Sequence, residues 1–126
     1  MWIKALTQDH LALTLAVAPG VQARIVERAG LWMGDRELDA LVADLRAVAA
    51  RTVPGGPLDY GVLTGSRERL SHSILTVLHE RDSGRPVAFN ALAVMDVTLH
   101  GAPATVVHLG LVMVDPQARS KGLSWV

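Results

Sequence analysis

Hydrophobic positions recur at two different periods along this chain, and the change of period divides it. Leu38, Leu41, Val42, Leu45 and Val48 lie three or four apart, which puts them on one stripe of a helix over Arg36–Arg51. Asp39, Asp44, Arg46 and Arg51 fall mainly off that stripe. Asp35 is placed to cap the helix, and Pro54-Gly55-Gly56-Pro57 ends it in a loop. Beyond position 70 the pattern changes to runs rich in Ile, Leu, Val and Thr. Three strands are predicted, Ser73–Glu80, Val87–Leu99 and Thr105–Val114. Asp82-Ser83-Gly84-Arg85 and Gly101-Ala102-Pro103 supply short turns between them, so the strands should form an antiparallel meander. The last strand is apolar at Val106, Val107, Leu109, Leu111, Val112, Met113 and Val114. That density predicts burial on both faces, a central place in the sheet, and helices covering both sides.

Upstream, Leu11–Ala18 is an apolar run that Thr7 or Asp9 could cap as a short helix. Pro19 suits the first turn of a second helix, with Val21, Ile25 and Val26 inside and Gly30 as its stop. The apolar run is too short for a membrane span. It also lacks the basic start of a secretory signal, because Asp9 and His10 precede it directly and only Lys4 lies further back. A core helix is the reading. Helices first and strands after, with no βαβ alternation, give an α+β fold: N-terminal helices followed by an antiparallel three-strand meander. The 126 residues suit a single domain, with a helical part over about 1–53 and a strand part over about 71–126.

Composition narrows the chemistry. Half the residues are hydrophobic, but there is one Phe and one Tyr, so the core must be Leu, Val and Ala. Twelve basic and twelve acidic side chains cancel, which leaves no electrostatic case for nucleic acid as a partner. No run is long enough to make a membrane a partner. There is no cysteine, hence no disulfide, thiol nucleophile or cysteine metal site, which fits a cytoplasmic location. No metal is expected, since no tight ligand motif such as His-Glu-x-x-His occurs. His72 and His79 are seven apart, on opposite faces of a strand. Arg67-Glu68-Arg69 reads as a solvated turn and Ser71-His72-Ser73 as a strand entrance.

The end of the chain carries the strongest chemical signal. The final strand runs through an Asp115-Pro116 turn into Arg119-Ser120-Lys121-Gly122-Leu123-Ser124. A glycine-containing loop after a buried strand suits phosphate binding by backbone N–H groups. The segment Val112-Met113-Val114-Asp115-Pro116-Gln117-Ala118-Arg119-Ser120-Lys121-Gly122-Leu123-Ser124 resembles the motif Val-x-Val-x-Pro-x-x-Arg-x-x-Gly-x-(Gly/Ala) of the GCN5-related N-acetyltransferases. The resemblance implies an acyl-CoA N-acyltransferase-like fold, complete here only in its N-terminal portion through that motif. It implies acetyl-CoA as acyl donor and a primary amine, on a small molecule or a protein, as acceptor. Backbone groups of Val112 and Val114 would pair with the pantetheine arm, and an N–H there would polarise the thioester carbonyl. Backbone N–H groups of Ser120, Lys121, Gly122, Leu123 and Ser124 would hold the pyrophosphate, with Arg119 and Lys121 adding positive charge.

The chain departs from the family in three places. Ser124 stands where Gly or Ala is usual, Gly110 stands where many members carry a glutamate base, and the later part with the tyrosine acid does not follow. His108, two residues before Gly110, is the remaining candidate base. Asp96 and His100 could join it in a polar cluster, although a solvated hairpin end is the favoured reading. Two functions are carried forward. One is an acyl-CoA-dependent N-acyltransferase; the other is a non-catalytic CoA-binding or interaction module. The domain is expected to continue beyond Val126, and the 126 residues alone to be marginally stable or to pair as a homodimer.

Overall fold

The computed structural model describes residues 10–53, 55 and 61–118. Five antiparallel strands form one sheet in the order β1-β2-β3-β4-β5: β1 Ala12–Ala18, β2 Val21–Glu27, β3 Ser73–Glu80, β4 Pro86–Leu99 and β5 Ala102–Val114. Between β2 and β3 run α1 (Ala29–Trp32), α2 (Asp35–Thr52), a 3₁₀ turn (Gly61–Thr64) and α3 (Arg67–Ser71). The α+β class and the β3-β4-β5 meander follow the sequence reading. The N-terminal helices do not: both are strands, and the sheet has five members rather than three.

The physical reason is visible in β1. Leu13, Leu15 and Val17 alternate with Thr and Ala, a period of two. Pro19-Gly20 is the hairpin turn between β1 and β2, with Gly20 at φ +73°, where a Cβ would be strained. Gly30 is not a helix stop but part of α1. A Cβ there would lie 2.0 Å from the Arg67 carbonyl oxygen, so glycine allows α1 and α3 to touch.

Helix α2 forms as its stripe predicts, with Leu38, Leu41, Val42, Leu45 and Val48 buried. Gly34 rather than Asp35 holds the N-cap position. Asp35 and Glu37 sit in the first turn, where the helix dipole favours them. The stripe packs on one face of the sheet against Leu75, Val77, Phe89, Ala91 and Met113. A smaller cluster on the opposite face gathers Val21, Ala23, Leu78, Ala88, Val114 and Ala118.

Strand β5 departs furthest from expectation. Among the described residues it is an edge strand, not a central one. Val107 is 53 % and Leu109 58 % exposed, and Val112 is also open. Among the described residues the helices cover one sheet face, so apolar density along β5 did not imply two covered sides. The β4–β5 turn also differs. His100 and Gly101 form it, both at positive φ, and β5 begins at Ala102.

The pairing slips at one point in this hairpin. Ala91 faces Leu111 but Leu92 faces Leu109, which leaves Gly110 as the extra residue of a β-bulge. A Cβ on Gly110 would come 3.2 Å from the Ala91 carbonyl oxygen, so the bulge is close-packed against β4.

Candidate functional site

A groove opens on the helix face of the sheet, over the bulge. Its roof is built by α3 and the 3₁₀ turn, with α1 packed against α3, and several polar contacts fix that arrangement. Arg67 Nη1 donates to the carbonyls of Gly30 and Met33, both at 3.0 Å, and Nη2 reaches Asp35 at 2.5 Å. Arg28 Nε donates to the Ser71 carbonyl at 2.7 Å. Ser66 caps α3 by accepting from the Arg69 N–H. Ser73 Oγ donates back to the Arg69 carbonyl at 2.7 Å. The floor includes the small residues Ser73, Ala91, Ala93 and Gly110, which leave space above them.

Two adjoining cavities fill this groove. The inner one, about 240 Å³, is lined by Gly61, Val62, Arg69, Ser73, Ala91, Leu92, Ala93, Gly110 and Leu111. The outer one, about 720 Å³, is lined by Thr64, Ser66, Glu68, Arg69, His72, Ser73, Ala93, Val94 and Met95. Arg69, Ser73 and Ala93 belong to both. The bulge of the edge strand therefore opens directly into the inner cavity.

Register places the candidate base. Ala91 pairs with Leu111 and Ala93 with His108, so His108 and Leu111 share the helix face although they are three apart. The bulge produces that phase shift. His108 is exposed beside Ala93, which lines both cavities. Asp96 pairs with Thr105, whose Oγ1 donates to it at 3.2 Å, and this pair lies on the opposite face. His100 is in the hairpin turn. The structure thus separates Asp96 and His100 from His108, as the solvated hairpin reading expects. His79 Nε2 donates to Asp44 Oδ2 at 3.1 Å and ties β3 to α2, away from the groove. His72 ends α3 instead of entering β3, and it lines the outer cavity. Among the described residues no three His, Cys, Asp or Glu side chains gather as a metal site, and no helix is long and apolar enough to cross a membrane.

Beyond Val112 and Val114 the chain turns at a fixed point. Asp115 is buried, its side chain 3 % exposed. It accepts from the Gln117 N–H at 2.9 Å, Arg51 Nε at 2.7 Å and Arg85 Nη2 at 3.1 Å. Arg51 Nη2 also donates to the Pro86 carbonyl. The Gln117 N–H, followed by the two arginines, holds the Asp115 carboxyl below the ordinary carboxylate range, against the opposing effect of burial. The turn closes with the Ala118 N–H on the Asp115 carbonyl at 2.8 Å. Arg119, Ser120, Lys121, Gly122, Leu123 and Ser124 lie outside the described residues.

Sequence reasoning singled out His108, Gly110 and the Asp-Pro turn; it did not place Arg69 and Ser73 at the groove or the two arginines on Asp115. The available signal for the groove was Ser66 three residues before Arg69, a helix start that brings the following turn over the strands.

No protein-family model matches this sequence, and none of the curated proteins matches it. A Trypanosoma brucei acetyltransferase of known structure is similar in three dimensions, with a TM-score of 0.51 and 18 % sequence identity. The likeness covers 83 % of this chain and 67 % of that one. At that identity the likeness concerns the fold: the chain has an α+β fold like that of the trypanosome acetyltransferase.

Proposed function

We propose that the protein is an acyl-CoA-dependent N-acyltransferase, moving acetyl from acetyl-CoA to a primary amine. The observation that carries this reading is the bulge at Gly110, in an edge strand, facing a groove and running into a pinned turn. An edge strand offers backbone groups to an extended ligand, and a bulge re-aims them at one point. The fold likeness and the motif from Val112 onward agree with it.

Acetyl-CoA would supply an activated thioester. In the proposed arrangement the pantetheine arm lies along β5 beside Val112 and Val114. A β5 N–H at the bulge polarises the carbonyl, and the loop from Arg119 to Ser124 takes the pyrophosphate. The acceptor amine sits in the groove, so that orientation does much of the work. His108, on the groove face, takes the amine proton. Among the described residues the cluster around Asp115 and its arginines keeps the loop's starting point fixed.

Calorimetric titration with acetyl-CoA, paired with a thiol-release assay on small amines, tests the reading. Saturable binding with amine-dependent release is expected; no binding overturns it. A second reading, a CoA-binding module without catalysis, is favoured by one observation. No carboxylate lies on β5 near Gly110. Binding without release over all amines would select it.

A further inference from the structure

Four arginines of the helix layer are committed to the fold; Arg36, exposed in the first turn of α2, makes no such bond among the described residues. Arg28, Arg46, Arg51 and Arg67 each donate to a backbone carbonyl or a carboxylate. Arg69 is different. Its backbone N–H and carbonyl serve α3 and Ser73, but among the described residues its side chain has no hydrogen-bond or ion-pair partner. Yet Arg69 lines both cavities, and it is the charged residue lining the inner one.

We propose that Arg69 is a substrate-binding residue that selects small amines carrying a carboxylate close to the amino group. The proposal rests on the acyl-transfer reading and names its acceptor class. In the inner cavity, where Arg69 is the charged lining residue, its cation repels a protonated amine, so a simple amine or a polyamine is a poor occupant. A carboxylate next to the amine reverses that sign, and a guanidinium can hold it through two parallel hydrogen bonds. Because Arg69 belongs to both cavities, an acid group held at their junction leaves the amine free to point toward Gly110. The inner cavity's 240 Å³ lies below the roughly 300–1,000 Å³ of pockets for drug-sized ligands, which fits a small acceptor. Ser73, shared by both cavities, already donates its hydroxyl to the Arg69 carbonyl. Glu68 lines the outer cavity and disfavours a second carboxylate further out.

The test compares glycine and β-alanine with ethylamine as acceptors, using the full chain and acetyl-CoA. Wild type should prefer the carboxylated amines. Arg69→Gln should raise their KM by on the order of ten- to a hundredfold, at least tenfold more than it raises that of ethylamine. Arg69→Lys should recover part of the loss. The melting temperature reports folding, and it should not change because the side chain bonds to nothing among the described residues. A wild type that prefers ethylamine, or an equal KM rise for all three amines, overturns the proposal. A separate arm needs no coenzyme: N-acetylglycine is titrated into free wild type and Arg69→Gln. Binding to wild type but not to Arg69→Gln supports the anion subsite, and if acetyl-CoA titrated separately does not bind, acyl transfer is defeated while that subsite stands. N-acetylglycine bound equally by both proteins defeats the Arg69 assignment itself.

Discussion

The two halves of β5 meet at Gly110 and have opposite surroundings. From Leu111 to Val114 the strand reaches the core, with Met113 among the α2 contacts and Val114 in the opposite cluster, while Val112 stays open. From Ala102 to Leu109 it runs with β4 beyond that cover, and Val107 and Leu109 stay open. Both halves carry large apolar residues, Val106, Val107 and Leu109 in the open one and Leu111, Val112, Met113 and Val114 in the other. The difference shows that burial of a strand is set by what lies over it, not by its own hydrophobicity. It also separates two tasks along one strand: Met113 and Val114 anchor, and the bulge at Gly110 with Leu111 lines the groove.

The comparison can be broken from the anchored side first. Leu45, fully buried over the covered half of the sheet, should cost about 3–5 kcal/mol of stability when changed to Ala, measured by urea denaturation. Asp115→Ala should cost less, about 2–3 kcal/mol, because its arginine partners are partly exposed and recover some hydration. Gly110→Ala should cost about 1 kcal/mol, since the added methyl meets the Ala91 carbonyl and the neighbour must give way. Val107→Thr, on the open half, should stay within about 0.5 kcal/mol. If Val107 proves as costly as Leu45, the contrast between the halves is wrong.

Acid titration sharpens the same point. Asp115 has its pKa lowered in the fold, chiefly by the Gln117 N–H and then by Arg51. Its contribution is therefore complete above the unfolded carboxylate value, about 3.9, and is lost as pH falls through the lower folded value. Asp115→Asn should flatten that acid limb of the stability curve while leaving the neutral region's slope unchanged. Activity offers another contrast. His108→Ala should lower kcat about a hundredfold. A variant retaining full turnover at every pH would remove His108 from the proposed mechanism.

Periodicity made α2 and the last three strands legible, because one apolar stripe and clear turn residues left little choice. Positions 11 to 27 were misread for a local reason. Ala is tolerated in helices, and Pro19 fits both a helix's first turn and a hairpin, so Gly20 at positive φ decided the matter. In the site, the strand alternation that would set His108 and Leu111 on opposite faces fails at one extra residue, Gly110, whereas Asp96 and His108 lie on opposite faces by ordinary register. Arg69 was invisible as a binding residue. A charged pair of turns beside a serine reads as solvent until α3 is seen to roof the groove. The arginines on Asp115 come from 64 and 30 residues away, a distance no local pattern can bridge.

Backbone amide NMR during titration with acetyl-CoA tests the central claim most directly. The account predicts that shifts concentrate at Leu109, Gly110, Leu111 and Val112 and in the turn from Asp115 to Ala118. Saturable shifts confined to β1 and β2, with the β5 amides unmoved, would contradict it.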